Sequence, residues 1–174
     1  MALDLINTSR LTLRSPRAND ASAIARALND WEVARWLSRV PYPYQELDAT
    51  KFIEGCRVAR SDGTAFRFVI DRENELVGGI GLENQGQSLF ELGYWIAREN
   101  WGKGIATEAV FAIINFAFEE LGASRIVASC HQQNRSSEKV LLTTNFSRVG
   151  VGLKFSRVLG KQVSTILFCL DQAG

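Results

Sequence analysis

The feature that most restricts the fold is a glycine-bearing loop set between two strongly patterned runs, Leu89 to Ala97 and Thr107 to Leu121. The first is rich in aromatic residues and reads as a strand, with Gly93 marking a bulge or a close backbone approach. The second sets Val110, Ile113, Ile114, Ala117, Phe118 and Leu121 on one stripe and reads as the best helix of the chain, stopped by Gly122. Between them lies Arg98-Glu99-Asn100-Trp101-Gly102-Lys103-Gly104-Ile105-Ala106-Thr107. Two glycines and a small Ala at a helix start let backbone N–H groups approach an anion closely, and the helix adds partial positive charge; the combination suits a pyrophosphate. Arg125 to Cys130 reads as the next strand, so the segment is a strand-helix-strand crossover with a parallel pair.

The loop fits neither common nucleotide fingerprint. A Walker-type loop needs a glycine at fixed spacing before the lysine and Ser or Thr after it, whereas Lys103 is followed by Gly104. A dinucleotide fingerprint needs an acidic residue further on for the ribose, and Gly122 to Gln133 contains no carboxylate. A glycine turn that merely joins strand to helix also accounts for the two glycines.

Elsewhere the chain changes period often. Arg10 to Arg14 alternates as a half-buried strand, and Asn19-Asp20 caps a helix over Ala21 to Leu28. Trp31 to Tyr44, punctuated by Pro41 and Pro43, predicts short or irregular structure whose rings Trp31, Trp36, Tyr42 and Tyr44 either line a pocket or close the core edge. Ala49 to Arg60 reads as a second helix. Phe66 to Asp71 and Leu76 to Leu82 read as a hairpin turning at Glu73-Asn74. Asn134 caps a helix running to about Thr144, and strands over about Ser147 to Phe155 and Val163 to Leu170 close the chain. Antiparallel strands around one parallel crossover imply an α/β (α+β) protein with a mixed sheet flanked by helices.

The 174 residues suit a single domain over 1–174. A balance of 20 basic against 19 acidic residues argues against a broad nucleic-acid-binding surface. Met1 to Asn7 lacks a leader pattern and no run is apolar enough to span a membrane, so a cytoplasmic protein is expected. Cys56, Cys130 and Cys169 are odd in number and far apart, which fits reduced and mostly buried thiols, and no metal is expected.

Taken in order, Thr8 to Arg14, Leu76-Val77-Gly78-Gly79-Ile80-Gly81, Glu91 to Ile96, Trp101 to Ala109 and Asn134-x-x-Ser137 resemble the GNAT N-acetyltransferases, in particular the RimJ/RimL branch that acetylates ribosomal-protein N-termini. The resemblance implies a mostly antiparallel sheet of about six to seven strands with about four helices. It implies acetyl-CoA as acyl donor, its pyrophosphate held by backbone N–H groups of Gly102, Lys103, Gly104, Ile105, Ala106 and Thr107, with the Lys103 side chain near a phosphate. The family's Gln/Arg position falls on Trp101, a departure that matches the branch. Ile96, Ala97 and Arg98 would pair with the pantetheine arm, and Asn134 would contact the coenzyme. The acceptor is a protein N-terminus or a small amine. A homodimer stays open.

Acetyl transfer needs a free amine, a donor for the developing oxyanion and a proton for the leaving thiolate. An α-amine titrates near 8 and a lysine near 10.4, so the former needs only a modest base. Glu91 shares a strand face with Gly93 and Trp95 and is the expected base, through water. His131, the only histidine, is the alternative base, although a surface histidine in a turn is the stronger reading of that position. Glu108, in the first helical turn, is expected to be structural. Many family members place a tyrosine acid where this chain has Leu141, which leaves Ser137 as proton donor. The acceptor pocket is expected among Trp31, Trp36, Tyr42, Tyr44 and Trp95. A covalent route through Cys130 is the weaker mechanism, since nothing evident activates it. A non-catalytic acyl-CoA sensor is the alternative from another class.

Overall fold

The computed structural model describes residues 5–172, so residues 1–4 of the stretch read above for a leader pattern lie outside it. Eight strands form one sheet in the order β1-β2-β3-β4-β5-β6-β8-β7. They are β1 (Leu5–Asn7), β2 (Thr12–Arg14), β3 (Ala65–Arg72), β4 (Glu75–Gly86), β5 (Leu89–Ile96), β6 (Arg125–His131), β7 (Ser147–Ser156) and β8 (Lys161–Asp171). The count exceeds the six or seven expected because of β1, a three-residue strand too short to show a period. The helices are α1 (Ala21–Leu28), α2 (Trp31–Ala34), α3 (Glu46–Ser61), α4 (Ile105–Glu119) and α5 (Arg135–Thr143). The single turn of α2, capped by Asp30, is the regular piece within a segment expected to be irregular.

Every neighbouring pair is antiparallel except β5 and β6, the pair joined through α4. Glu73 and Asn74 both adopt positive φ between β3 and β4, the geometry that matches the twist of a two-residue hairpin. Gln87 and Ser88 repeat it between β4 and β5. Gly93 is not a bulge: it pairs directly with Gly81, and a Cβ there would meet nothing.

The middle of the sheet is covered on both faces. On one, α4 presents Ile105, Ala109, Val110, Ile113, Ile114, Phe116 and Ala117 against Phe68, Ile70, Leu82, Leu92 and Ile126. The stripe is rotated from the expected one: Phe118 and Leu121 are only partly buried, and Phe116 turns inward to meet Phe68 edge-on at 5.4 Å. On the other face, Ile24, Leu28, Val33, Tyr44 and Ala49 from α1 to α3 and their connections cover Val69. Fully burying each such side chain contributes about 1.5–3 kcal/mol, so two covered faces hold the middle of the sheet rigid.

Candidate active site

Parallel pairing of β5 with β6 covers only Leu89–Leu92 against Arg125–Ala128. Beyond Leu92 and Ala128 the strands run on unpaired with each other, to Ile96 and His131, and leave a splay in the sheet. Ala97 donates its N–H to Val77 of β4 at 2.9 Å. Since bonding direction alternates along a strand, Ile96 and Tyr94 turn their peptide groups into the splay. Of the three residues expected along a pantetheine arm, Ala97 therefore has its N–H already spent on β4.

The glycine loop closes the upper end of the splay. Gly102 and Gly104 both sit at positive φ, +72° and +75°, which a residue with a Cβ adopts only at a cost. The amides of Gly102, Lys103, Gly104, Ile105, Ala106 and Thr107 donate to no described residue. The last three are the unsatisfied N–H groups of a helix start, reinforced by the helix dipole. Trp101 folds back, and its indole N–H bonds the Ile96 carbonyl at 2.8 Å, fixing the loop to the end of β5. Lys103 lies exposed and bonds Asn100 at 3.2 Å.

A brace from the other end of the chain holds this loop, and sequence reasoning missed it. Arg10 donates Nη1–H to the Lys103 carbonyl at 3.0 Å and Nε–H to Glu108 at 2.7 Å. Glu108 also accepts from Thr8 Oγ1 at 2.6 Å, Ser9 Oγ at 3.0 Å and the Arg10 amide at 3.0 Å. Burial alone would raise its pKa, but these donors, Thr8 and Arg10 foremost, hold it down to about 2. Glu108 thus does more than complement the dipole. It ties the β1–β2 turn to the first turn of α4.

On the α4 and α5 side of the splay, Asn134 caps α5 by accepting the Ser137 N–H at 3.1 Å. Ser137 Oγ lies 2.8 Å from the Tyr94 hydroxyl, so two hydroxyls meet beside the Cys130 thiol. Burial pushes the Tyr94 pKa up despite the bond from Ser137, which keeps its proton on. Burial likewise raises Cys130 to about 11, leaving a protonated thiol that is a poor nucleophile at neutral pH. Leu141 is core. Tyr94, from β5, brings a phenol hydroxyl to the Ser137 hydroxyl of α5.

The opposite face carries a chain of charge. Glu91 accepts from Lys154 Nζ at 2.7 Å and from Arg39 Nη2 at 2.6 Å, and Arg39 reaches on to Glu83, itself bonded by Arg67 at 2.7 Å. Glu91 thus stands on the face that alternation assigned it, with both oxygens occupied. Burial would raise its pKa, but Lys154 and then Arg39 outweigh that and hold it below the ordinary carboxylate range. Such a carboxylate keeps its charge and has little appetite for a proton.

His131 is no surface turn residue. It ends β6, is 8% exposed, packs edge-on against Trp36 at 5.7 Å, and has a buried Nε2 with no hydrogen-bond partner. Burial lowers its pKa, so the imidazole is neutral at pH 7. The aromatic residues divide. Trp31 and Tyr42 contact each other at 5.1 Å and are exposed, and Trp95 packs against the α1–α3 cluster. Tyr44 is core, 5% exposed, and does not line an open pocket.

Residues 10–147 match the acetyltransferase (GNAT) domain family. The chain is 28% identical over 172 residues to the uncharacterised N-acetyltransferase p20 of Bacillus licheniformis, covering 97% of this chain and 96% of that one. It is 32% identical over 104 residues to the ribosomal-protein-serine acetyltransferase of Escherichia coli, 58% of each chain. Among solved structures, RimJ of Mycobacterium smegmatis, in complex with a coenzyme A disulfide, superposes with a TM-score of 0.87 over 97% of this chain and 87% of that one, at 24% identity. The splayed parallel pair, the glycine loop at the start of α4 and these likenesses agree: the chain belongs to the GNAT acetyltransferase family.

Proposed function

We propose that this N-acetyltransferase moves an acetyl group from acetyl-CoA to a protein N-terminal α-amine, by direct attack in a ternary complex. The observation that carries the reading is the row of unpartnered amides from Gly102 to Thr107 at the head of the β5–β6 splay. A diphosphate on those amides leaves the pantetheine arm lying along Ile96 and Tyr94 and the thioester beside Ser137. Asn134 retains a free side-chain amide for the coenzyme after capping α5. Ser137 Oγ, backed by the Tyr94 hydroxyl, supplies the thiolate's proton. Glu91 and the exposed rings of Trp31 and Tyr42 flank the acceptor's side of the sheet.

The likeness to a ribosomal-protein-serine acetyltransferase supports a protein acceptor, and the net charge of +1 gives no support to a nucleic acid. Acetyl-CoA is titrated by calorimetry, and thiol release is then followed with peptides of varied N-terminus beside spermidine and free amino acids. Saturable donor binding and turnover on a peptide α-amine are expected, with Ser137→Ala lowering kcat about tenfold or more and leaving donor affinity unchanged. Turnover confined to small amines would move the acceptor class, and donor binding without turnover on any amine would favour the sensor.

A further inference from the structure

Resting on the acetyl-transfer reading, we propose that His131 Nε2 is the base that takes the proton from the acceptor's ammonium, and that the Trp36 ring gives way to admit that group. Three observations converge. First, a buried side-chain nitrogen without a partner is costly and rare, and Nε2 is one of few such atoms among the described residues. A hydrogen bond formed only with substrate supplies what the free protein withholds.

Second, successive strand residues point to opposite faces. Cys130 faces Ser137, so His131 faces the side of α1 to α3, together with Ser129, Glu91 and Trp95. A donor threaded through the splay presents its sulfur to the hydroxyl pair on one face and its carbonyl to the imidazole's face on the other. The amine then arrives from the side opposite the leaving group's proton donor.

Third, the charged neighbours of that face are occupied with each other. Glu91 on β5 is bonded by Lys154 on β7 and by Arg39, while Arg35 stacks on Trp36 at 4.4 Å and reaches Glu32 at 3.5 Å. None bonds the imidazole, and burial alone shifts its titration. Of the two groups read from sequence as bases, the carboxylate is held charged by two cations and the imidazole is neutral with its Nε2 unpartnered.

The step balances. Nε2 takes one proton from R–NH3+, and the freed lone pair forms the C–N bond as the C–S bond breaks. Ser137 Oγ–H protonates the departing sulfur and is replenished by the proton that the new amide nitrogen sheds. The imidazolium then returns its proton to solvent.

The test compares wild type, His131→Gln and His131→Asn by thermal midpoint, calorimetric titration with acetyl-CoA, and kcat against pH with a peptide that begins with serine and with spermidine. Both variants are expected to bind acetyl-CoA within about twofold of wild type while kcat falls about 100-fold. The wild-type acid limb, with a midpoint below about 6.5, disappears in the variants and matches the NMR titration of the only imidazole in the chain. Full kcat in the variants, an acid limb that survives them, or a wild type that binds acetyl-CoA yet acetylates neither amine overturns the proposal. Should the variants unfold, the wild-type imidazole decides: its resonance must shift when the serine peptide joins the acetyl-CoA complex, and no shift overturns the assignment. A wild type that does not bind acetyl-CoA at all brings down the acetyl-transfer reading itself, and calorimetry separates that failure from the others.

Discussion

At Glu108 a single carboxylate converts four hydrogen bonds into a fixed loop, and its titration reports how much that matters. Its folded pKa of about 2 lies below the unfolded value near 4.3, so the stabilisation is complete above the unfolded pKa and is lost as pH falls through the folded one. Because the Arg10 partner is 44% exposed and solvent screens it, the contribution is on the order of 1–2 kcal/mol rather than the full shift. Glu108→Gln is therefore expected to lower the thermal midpoint at pH 7 by about 3–6 °C, and the gap to close between about pH 4.5 and 2. A gap that persists at the acid end would mean that packing, not charge, holds the turn. None of this was legible locally. Arg10 and Glu108 are 98 positions apart, and Tyr94 and Ser137 are 43 apart, so each pair exists only once the sheet is formed. The glycines at 102 and 104 were legible, because a positive φ at a helix start is a local demand.

Among the elements, β5 forms one edge of the splay, and Gly78 decides how closely β4 lies against it. A Cβ on Gly78 would come within 2.5 Å of the Trp95 carbonyl oxygen, a backbone atom that cannot move alone, whereas one on Gly93 meets nothing within 4 Å. Gly78→Ala is expected to cost about 1–3 kcal/mol and lower the thermal midpoint by about 5 °C, with Gly93→Ala unchanged. Equal midpoints for the two would contradict the pairing described. The elements were largely readable in advance. Ala21–Leu28 was placed to the residue, the Glu73-Asn74 turn was found, and the start of α5 followed from its Asn134 cap. What escaped were β1 and α2, too short to show a period, and the rotation of the α4 stripe, which is set by Phe116 reaching Phe66 and Phe68 across the sheet.

For the whole molecule, the parting of one parallel pair in an otherwise antiparallel sheet brings two chemically different faces together at one place. Facing α4 and α5 are the hydroxyls of Tyr94 and Ser137 beside a protonated thiol; facing α1 to α3 are the neutral imidazole and the ion chain from Arg67 to Lys154. A donor held from the glycine loop and an acceptor entering from the opposite face can meet only within the sheet, the arrangement direct transfer requires. The most direct test is an amide NMR titration with acetyl-CoA. The account predicts that the resonances of Gly102 to Thr107 move first and furthest, with saturation, and that Gly104→Val abolishes the shift. Saturable binding that leaves those amides unmoved while others respond would contradict it.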